Sequence, residues 1–155
     1  MRERIDLEAP LSGDFQAVVR LIIGGIAERV DFAFEEIDDL QLAVERLLAE
    51  AGQVGSVHLS FEVGECSIRT RVGPLSESAI SDALRDGVVQ PGHLTLRRIL
   101  QTVVDSFGLE ESGAGRVVVR LEHGRVLLRI RLPADRAPQR AALPPARAPG
   151  PRSAP

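Results

Sequence analysis

The chain has 155 residues, of which 44% are hydrophobic, and carries a net charge of −3. This length suits one domain, and its core must be aliphatic because the chain has five Phe and no Trp or Tyr. All nineteen basic residues are Arg, which excludes Schiff-base and P-loop chemistry that needs a lysine. From Pro133 onward four Arg oppose Asp135, so the remainder carries −6. An acidic body disfavours nucleic acid as a partner, because phosphate binding needs a concentrated basic surface.

The cysteine count and the longest apolar run indicate the cellular compartment of the protein. Cys66 stands alone, which excludes an internal disulfide and a cysteine-based metal cluster. The longest apolar run, Val18–Ala27, is interrupted by Arg20 and is too short to span a bilayer. We therefore expect a cytoplasmic protein without a membrane partner.

Hydrophobic spacing predicts an order of elements along the chain. It gives a strand at Arg4–Glu8, helices at Phe15–Glu28 and Phe34–Ala51, a hairpin of Val57–Val63 with Cys66–Val72, a short helix at Ser76–Asp86, a helix at Leu94–Phe107, a loop at Glu110–Gly115, and a second hairpin of Arg116–Glu122 with Arg125–Leu132, turned at His123-Gly124.

The predicted strands have one apolar face and one face rich in Arg and Glu, which is typical of a sheet covered on one side only. We therefore expect an α/β (α+β) two-layer sandwich, with a mixed, mainly antiparallel sheet covered by three or four helices. The charged row is interpreted as a solvent face: Arg69, Arg71, Arg120, Arg129 and Arg131, with Glu62 and Glu122 among them. Residues 1–132 form the expected domain, and the seven prolines of 133–155 predict a disordered tail.

Two stretches carry a family resemblance, FEEIDDLQLAVERLLAEAG from Phe34 and GHLTLRRILQTVVDSFGLEESGAGRVVVRLEHGRVLLRI from Gly92. With the order of elements, they resemble the histidine-kinase/Hsp90-like ATPase fold over about residues 3–132. More narrowly, they are similar to the single-domain anti-sigma factors and serine-protein kinases of bacterial partner-switching systems. In that family an acidic run of the form xDLxLAVxE leads into an Asn four residues after the Glu.

The resemblance implies a role for that Glu and that Asn: the Glu activates the attacking hydroxyl of the substrate protein, and the Asn binds magnesium. Glu45 is matched to the Glu, and the Asn position then falls on Ala49, which has no oxygen to offer a cation. Glu45 is alternatively an ordinary solvated helix residue, a reading favoured by the absent metal ligand.

The other motif positions of the nucleotide site also depart from the family. Arg71 stands where an Asp would bond the adenine amino group, although Gly73 is kept; Gly73-Pro74 is alternatively an ordinary turn. Before the last predicted helix Gly92 is kept, but Leu94 replaces the second glycine that lets backbone amides approach phosphate. We therefore expect a degenerate ATP site with no bound cofactor or metal.

Three functions follow as hypotheses. The first, a binding protein rather than an enzyme, sequesters a sigma factor through the helices Phe15–Glu28 and Phe34–Glu50 and is released by an antagonist protein. The second is an ATP- and magnesium-dependent kinase of the antagonist, with Asp38 or Gln41 replacing the missing ligand. The third is a non-enzymatic scaffold or dimerisation module. The resemblance also implies a homodimer as one oligomeric state of this chain.

Overall fold

The computed structural model describes residues 2–52, 55–85 and 94–125. In these ranges it has five strands and four helices. Their bounds are β1 Glu3–Pro10, α1 Gly13–Glu28, α2 Phe34–Ala51, β2 Ser56–Val63, β3 Ser67–Ser76, α3 Glu77–Leu84, α4 Leu96–Val103, β4 Ser106–Gly113 and β5 Arg116–Gly124.

The strands form one sheet in the order β1-β2-β3-β5-β4. Each neighbouring pair in this sheet is antiparallel, so the parallel component of the predicted mixed sheet is absent from the described ranges. Helix α2 packs against α1, α3 and α4 and contacts β3 and β5. The structure therefore confirms the two-layer α+β sandwich, with its helices on one face of the sheet.

The core lies between α2 and the middle of the sheet. Leu40, Val44 and Leu47 are fully buried on α2 because they recur at helical spacing on the side that faces the sheet. Alternate residues of the strands meet them, and those residues are buried as well: Leu59, Phe61, Ile68, Val72, Val119 and Leu121.

The start of α2 is held by two contacts from outside the helix. The Glu36 carboxylate accepts a hydrogen bond from the Ala33 backbone N–H at 2.6 Å, which satisfies a free donor at the helix start. His123 of β5 is 1% exposed, its Nε2 lies 3.0 Å from the Glu36 carbonyl oxygen, and its ring packs edge-on against Phe32. The end of β5 is thereby fixed beside the turn between α1 and α2.

The C-terminal half corrects the predicted elements. The helix predicted to run to Phe107 ends at Val103, and the predicted loop Glu110–Gly115 is mostly strand, because β4 runs from Ser106 to Gly113. The hairpin turns at Ala114-Gly115, where both residues have positive φ, so the turn predicted at His123-Gly124 is wrong. His123-Gly124 instead continue β5, paired with Ile68 and Ser67 of β3. The predicted partner strand lies outside the described residues beyond Arg125, as does the predicted tail 133–155.

The face of the sheet opposite the helices carries a row of ion pairs, which we call the sheet-face ladder. Its members are Glu62, Arg69, Arg71, Glu110, Arg120 and Glu122, and each arginine lies within 4.0 Å of two of the carboxylates. The predicted mixed solvent face is thus confirmed for Arg69, Arg71 and Arg120, while Arg129 and Arg131 lie outside the described residues.

Within the residues that the structure describes, every helix is too short or too polar to cross a bilayer.

Candidate functional site

The Glu45 side of α2 faces α1 and is joined to it by Arg20. The Arg20 Nε donates to the Gln41 side-chain oxygen at 3.1 Å and lies 3.3 Å from a Glu45 carboxylate oxygen. The Gln41 amide nitrogen donates to the Arg20 backbone oxygen at 2.9 Å. Glu45 is therefore paired with a cation, and both ends of the Gln41 amide are used in holding the two helices together.

Ala49 lies one turn after Glu45 and lines a small cavity between the start of α1 and the end of α2. The cavity has a volume of about 140 Å³. None of its lining residues carries a charge: Ala9, Pro10, Leu11, Ser12, Gly13, Phe15, Gln16, Val19, Leu48, Ala49, Gly52 and Val57. This volume is below the roughly 300–1,000 Å³ that is usual for ligand pockets, and the lining offers no carboxylate to a cation.

Arg71 lies on the other side of the sheet from Glu45 and Ala49. Its guanidinium contacts Glu62 at 2.9 Å and Glu110 at 3.3 Å in the sheet-face ladder. The neighbours of Arg71 on β3 that face the helices are Thr70 and Val72, both fully buried. The structure therefore does not bring Arg71 together with the α2 residues of the predicted site.

Gly73 is held against β5 by close backbone contact. A Cβ added there would lie 2.9 Å from both the Val117 carbonyl oxygen and the Val118 Cα, so no larger residue fits without movement of the backbone. The pairing of β3 with β5 shifts register between Val72 and Leu75, at this glycine. This close approach gives Gly73 a structural reason to be glycine, independent of any nucleotide.

The predicted phosphate-binding segment is described only at its end. Leu94 is 63% exposed just before α4, while Gly92 and the neighbouring His93 lie outside the described residues. Helix α4 packs on α2, whereas the Glu45–Ala49 pair lies on the α1 side of α2. The described positions of the predicted site are thus distributed over separate surfaces, and their roles in nucleotide binding stay a prediction.

The opposite flank of α2 carries a pair that the sequence reading did not single out, Arg46 and Glu50. They are four residues apart and, at 100° per residue, lie on the side of the helix away from the α1 contact. The Arg46 Nε is buried and has no hydrogen-bond partner among the described residues. The family run already indicates this pair. In xDLxLAVxE the Glu comes two residues after Leu-Ala-Val, a position that Arg46 occupies here, and the Asn position four residues later is then Glu50. In either register the Glu–Asn combination is absent.

The histidines do not form a metal site in the described ranges. There, no group of three or more His, Cys, Asp or Glu side chains is placed to hold a metal ion. His58 lies on the open face of the sheet, 3.5 Å from an Asp6 oxygen, as expected of a strand-face residue. His123, expected in a turn, is instead buried in β5.

Comparison with known proteins supports the family resemblance. No protein-family model matches the sequence. The chain is similar to the serine-protein kinase RsbW of Halalkalibacterium halodurans, with 29% identity over 91 residues, 56% of each chain. It is also similar to that of Bacillus pumilus, with 32% identity over 72 residues, 44% of each chain, and to that of Oceanobacillus iheyensis, with 27% identity over 81 residues, 48% of this chain and 51% of the relative. The matched region thus spans about half the length of these curated relatives, and the similarity is to the RsbW family.

Proposed function

We propose that this protein is an anti-sigma-factor-like regulator that sequesters a sigma factor in a partner-switching system, with lost or weakened ATP binding. It acts by covering the sigma-factor surface that RNA polymerase needs, and an antagonist protein releases it. The similarity to RsbW proteins supports this class of regulator. The chemistry at α2 supports binding without phosphoryl transfer.

The observation that carries the proposal is which side chains α2 presents at the catalytic positions of the family motif. The Glu45 carboxylate is 3.3 Å from the Arg20 guanidinium, and Ala49 offers only a methyl group one turn later. In the alternative register an arginine replaces the acidic residue. A kinase site needs an oxygen ligand for magnesium and a side chain that can take a proton. Glu45 and Ala49 lack the ligand, and Arg46 and Glu50 lack the base at the Glu position.

The first test measures thermal unfolding of the full chain with and without millimolar magnesium-ATP. A ligand present at a hundred times its Kd stabilises the fold by about 2.7 kcal/mol, which shifts the Tm by several degrees. We expect no shift for this protein. The Halalkalibacterium halodurans RsbW, assayed in parallel, shows that the assay detects nucleotide, and a clear shift for this chain would contradict the loss of ATP binding.

The second test addresses sequestration itself. The tagged full chain is incubated with host lysate, and the recovered proteins are identified. The chain is then added to a transcription reaction that contains RNA polymerase and the recovered sigma factor. We expect recovery of a sigma factor and inhibition of transcription from its promoters. Recovery of the chain alone, with transcription unchanged, would favour the scaffold or dimerisation module instead.

An active serine-protein kinase is the second candidate, and the names of the relatives favour it. Its test is transfer of labelled phosphate from ATP to a protein captured from the same lysate. The Glu45→Gln variant tests the base, because a glutamine cannot take the proton of the reacting hydroxyl and should abolish transfer if Glu45 does so. The Arg46→Gln variant is the neighbouring control, because a guanidinium cannot act as that base. No transfer by the wild-type chain rules out this candidate.

A further inference from the structure

We propose that a cavity at one end of the sheet binds a small zwitterion that carries an ammonium group, a carboxylate and an aliphatic group. Free aliphatic amino acids and short aliphatic peptides share this chemistry. Arg116 binds the carboxylate and Glu8 binds the ammonium group. The site does not depend on the proposed function, and its lining includes none of the described motif positions of the predicted nucleotide site.

The cavity exists because the sheet divides at this end. Strands β2 and β3 are paired as far as His58 and Gly73. Beyond that point β2 stays paired with β1 to Ser56, while β3 follows β5 to Ser76. The pairing of β3 with β5 shifts register around Gly73, and an irregularity of this kind bends a strand away from its neighbour. We call the resulting gap between β2 and β3 the sheet-end cavity.

The size and floor of the sheet-end cavity suit a small molecule with an aliphatic group. Its volume is about 640 Å³, within the roughly 300–1,000 Å³ that is usual for ligand pockets. Its three least exposed lining residues are apolar and form the floor: Leu11, Ala51 and Leu75. The Leu11 N–H donates to the Gly55 carbonyl oxygen at 2.8 Å, which holds this floor in place. An aliphatic side chain of a ligand can therefore be buried against it.

On the β5 side, the sheet-end cavity has a cation. Arg116 is exposed and forms no ion pair with any residue that the structure describes. Its Nη1 donates to the Pro74 carbonyl oxygen at 3.4 Å, which directs the guanidinium along the cavity wall and uses only one of its N–H donors. The remaining donors suit a carboxylate, which a guanidinium binds in a bidentate manner.

On the β1 side, the sheet-end cavity has an anion. Glu8 is exposed and is likewise without an ion pair in the described ranges. The Ser56 hydroxyl donates to the Glu8 Oε1 at 3.1 Å, which orients the carboxylate and leaves its second oxygen for a ligand. His58 also lines the cavity, but its Nε2 lies 3.5 Å from an oxygen of Asp6, which is not a lining residue. Glu8 is therefore the lining group that suits an ammonium group.

Opposite charges on the two sides of the cavity select a ligand that carries both charges. A purely anionic ligand is repelled by Glu8, and a purely cationic ligand is repelled by Arg116. A neutral apolar ligand displaces water from both charged groups without replacing the lost hydrogen bonds. A zwitterion pairs with both groups, and its aliphatic part covers the apolar floor.

Amide chemical shifts of the ¹⁵N-labelled full chain test the site. Glycine, L-leucine and leucyl-leucine are each added at millimolar concentration. We expect L-leucine or leucyl-leucine to shift the signals of Ser56, Leu75 and Arg116, and to leave those of Arg69 and Arg120 on the sheet-face ladder unchanged. Glycine should bind more weakly because it has no aliphatic group. The tighter of the two leucine ligands identifies the source of the zwitterion, a free amino acid or a peptide.

Two blocked forms of the zwitterion that binds test its two charges separately. The amide form lacks the carboxylate that Arg116 binds, and the N-acetyl form lacks the ammonium group that Glu8 binds. We expect each blocked form to bind about tenfold more weakly than the zwitterion, because each loses one charge-assisted hydrogen-bonded pair. Equal binding of all three forms would show a purely apolar site and would overturn the proposal.

Matched variants assign the two charges to the two residues. In Arg116→Gln, binding of the zwitterion should fall to that of the amide form, while binding of the amide form stays unchanged. In Glu8→Gln, the corresponding loss should spare the N-acetyl form. Arg85→Gln is the control, because Arg85 is an exposed arginine outside the lining of the cavity, and it should bind all forms as wild type does. The three substituted side chains are exposed, so folding is retained.

Four further outcomes overturn the proposal. The first is that neither leucine ligand shifts an amide signal, and the second is that the shifts fall on another surface. The third is that Arg116→Gln and Glu8→Gln bind the zwitterion as wild type does. The fourth is that magnesium-ATP shifts the same signals, which would assign the cavity to nucleotide binding instead.

Discussion

Two solvent-facing surfaces of the described residues are built in opposite ways. One is the sheet-face ladder, and the other is the outer hairpin face, the solvent side of α1 and α2 with the exposed Val18, Leu21 and Leu42. On the ladder three arginines and three glutamates alternate over four strands and neutralise one another. On the hairpin, exposed leucine and valine side chains stand among an excess of acidic residues. The ladder pairs its charges within the chain, although the Nε atoms of Arg71 and Arg120 have no hydrogen-bond partner among the described residues. The hairpin instead exposes apolar area that nothing in the described residues covers.

This difference bears on where partners bind. A surface whose charges are already paired offers a partner little gain, because each new contact must break an existing one. Exposed apolar side chains lose nothing when a partner covers them. We therefore expect binding at the hairpin, and mutations that separate folding from binding sharpen the comparison.

The largest expected effect separates the two sides of the hairpin. Leu47→Ala empties a fully buried site on the core side of α2 and is expected to lower the free energy of unfolding by about 2–5 kcal/mol. Leu21→Ala, on the outer face, should change it by less than about 0.5 kcal/mol, because Leu21 is mostly solvated. Urea unfolding of both variants measures the contrast.

The reverse readout completes this test. Leu21→Ala should weaken partner binding, although it leaves stability almost unchanged. A large loss of stability in Leu21→Ala would show that the outer hairpin face is needed for folding, and it would remove the contrast between the two surfaces.

A smaller effect is expected on the ladder. Glu62→Gln removes the carboxylate that Arg69 and Arg71 share, at 3.4 and 2.9 Å, and should destabilise the fold by about 1 kcal/mol at low salt. The loss should shrink as salt rises, because the pairs are partly exposed. Glu65→Gln, in the exposed turn after β2, is the matched control. Equal effects of the two variants would contradict a role for pairing.

The sequence predicted the first half of the fold well and the second half less well. From β1 to α3 the apolar residues recur at clean strand or helix spacing, and Gly52 marks the end of α2 and Ser76 the start of α3. After Val103 the signal weakens, because β4 is an edge strand in which Gly108, Glu110 and Glu111 interrupt the apolar alternation. Phe107 fits the stripe of the preceding helix as well as the strand, so spacing alone extended the helix too far.

The candidate site was harder to predict than the fold. Spacing along α2 places Glu45 four residues before Ala49, but it does not show which neighbour each flank meets; that required the Arg20 contact. For Arg71, strand alternation already predicted the open face, and the motif match conflicted with it. Arg46 and Glu50 were missed because a one-residue shift along a helix turns a side chain by 100° and changes its flank.

The smallest effect concerns the edge of the open sheet face, where Asp6 of β1 lies next to Arg4 and His58. Hydrogen bonds from the Arg4 Nε at 3.0 and 3.1 Å hold the pKa of the Asp6 carboxyl below its ordinary value of 3.8, although desolvation acts in the opposite direction. Since the folded-state pKa is depressed, the stabilisation by ionised Asp6 is complete above about pH 4 and is lost as the pH falls through that pKa. We expect Arg4→Gln to return the Asp6 pKa toward 3.8 in an NMR titration, and His58→Gln to raise it less. An Asp6 pKa unchanged by Arg4→Gln would mean that this edge is not held by its ion pair and that pairing ends at the inner strands.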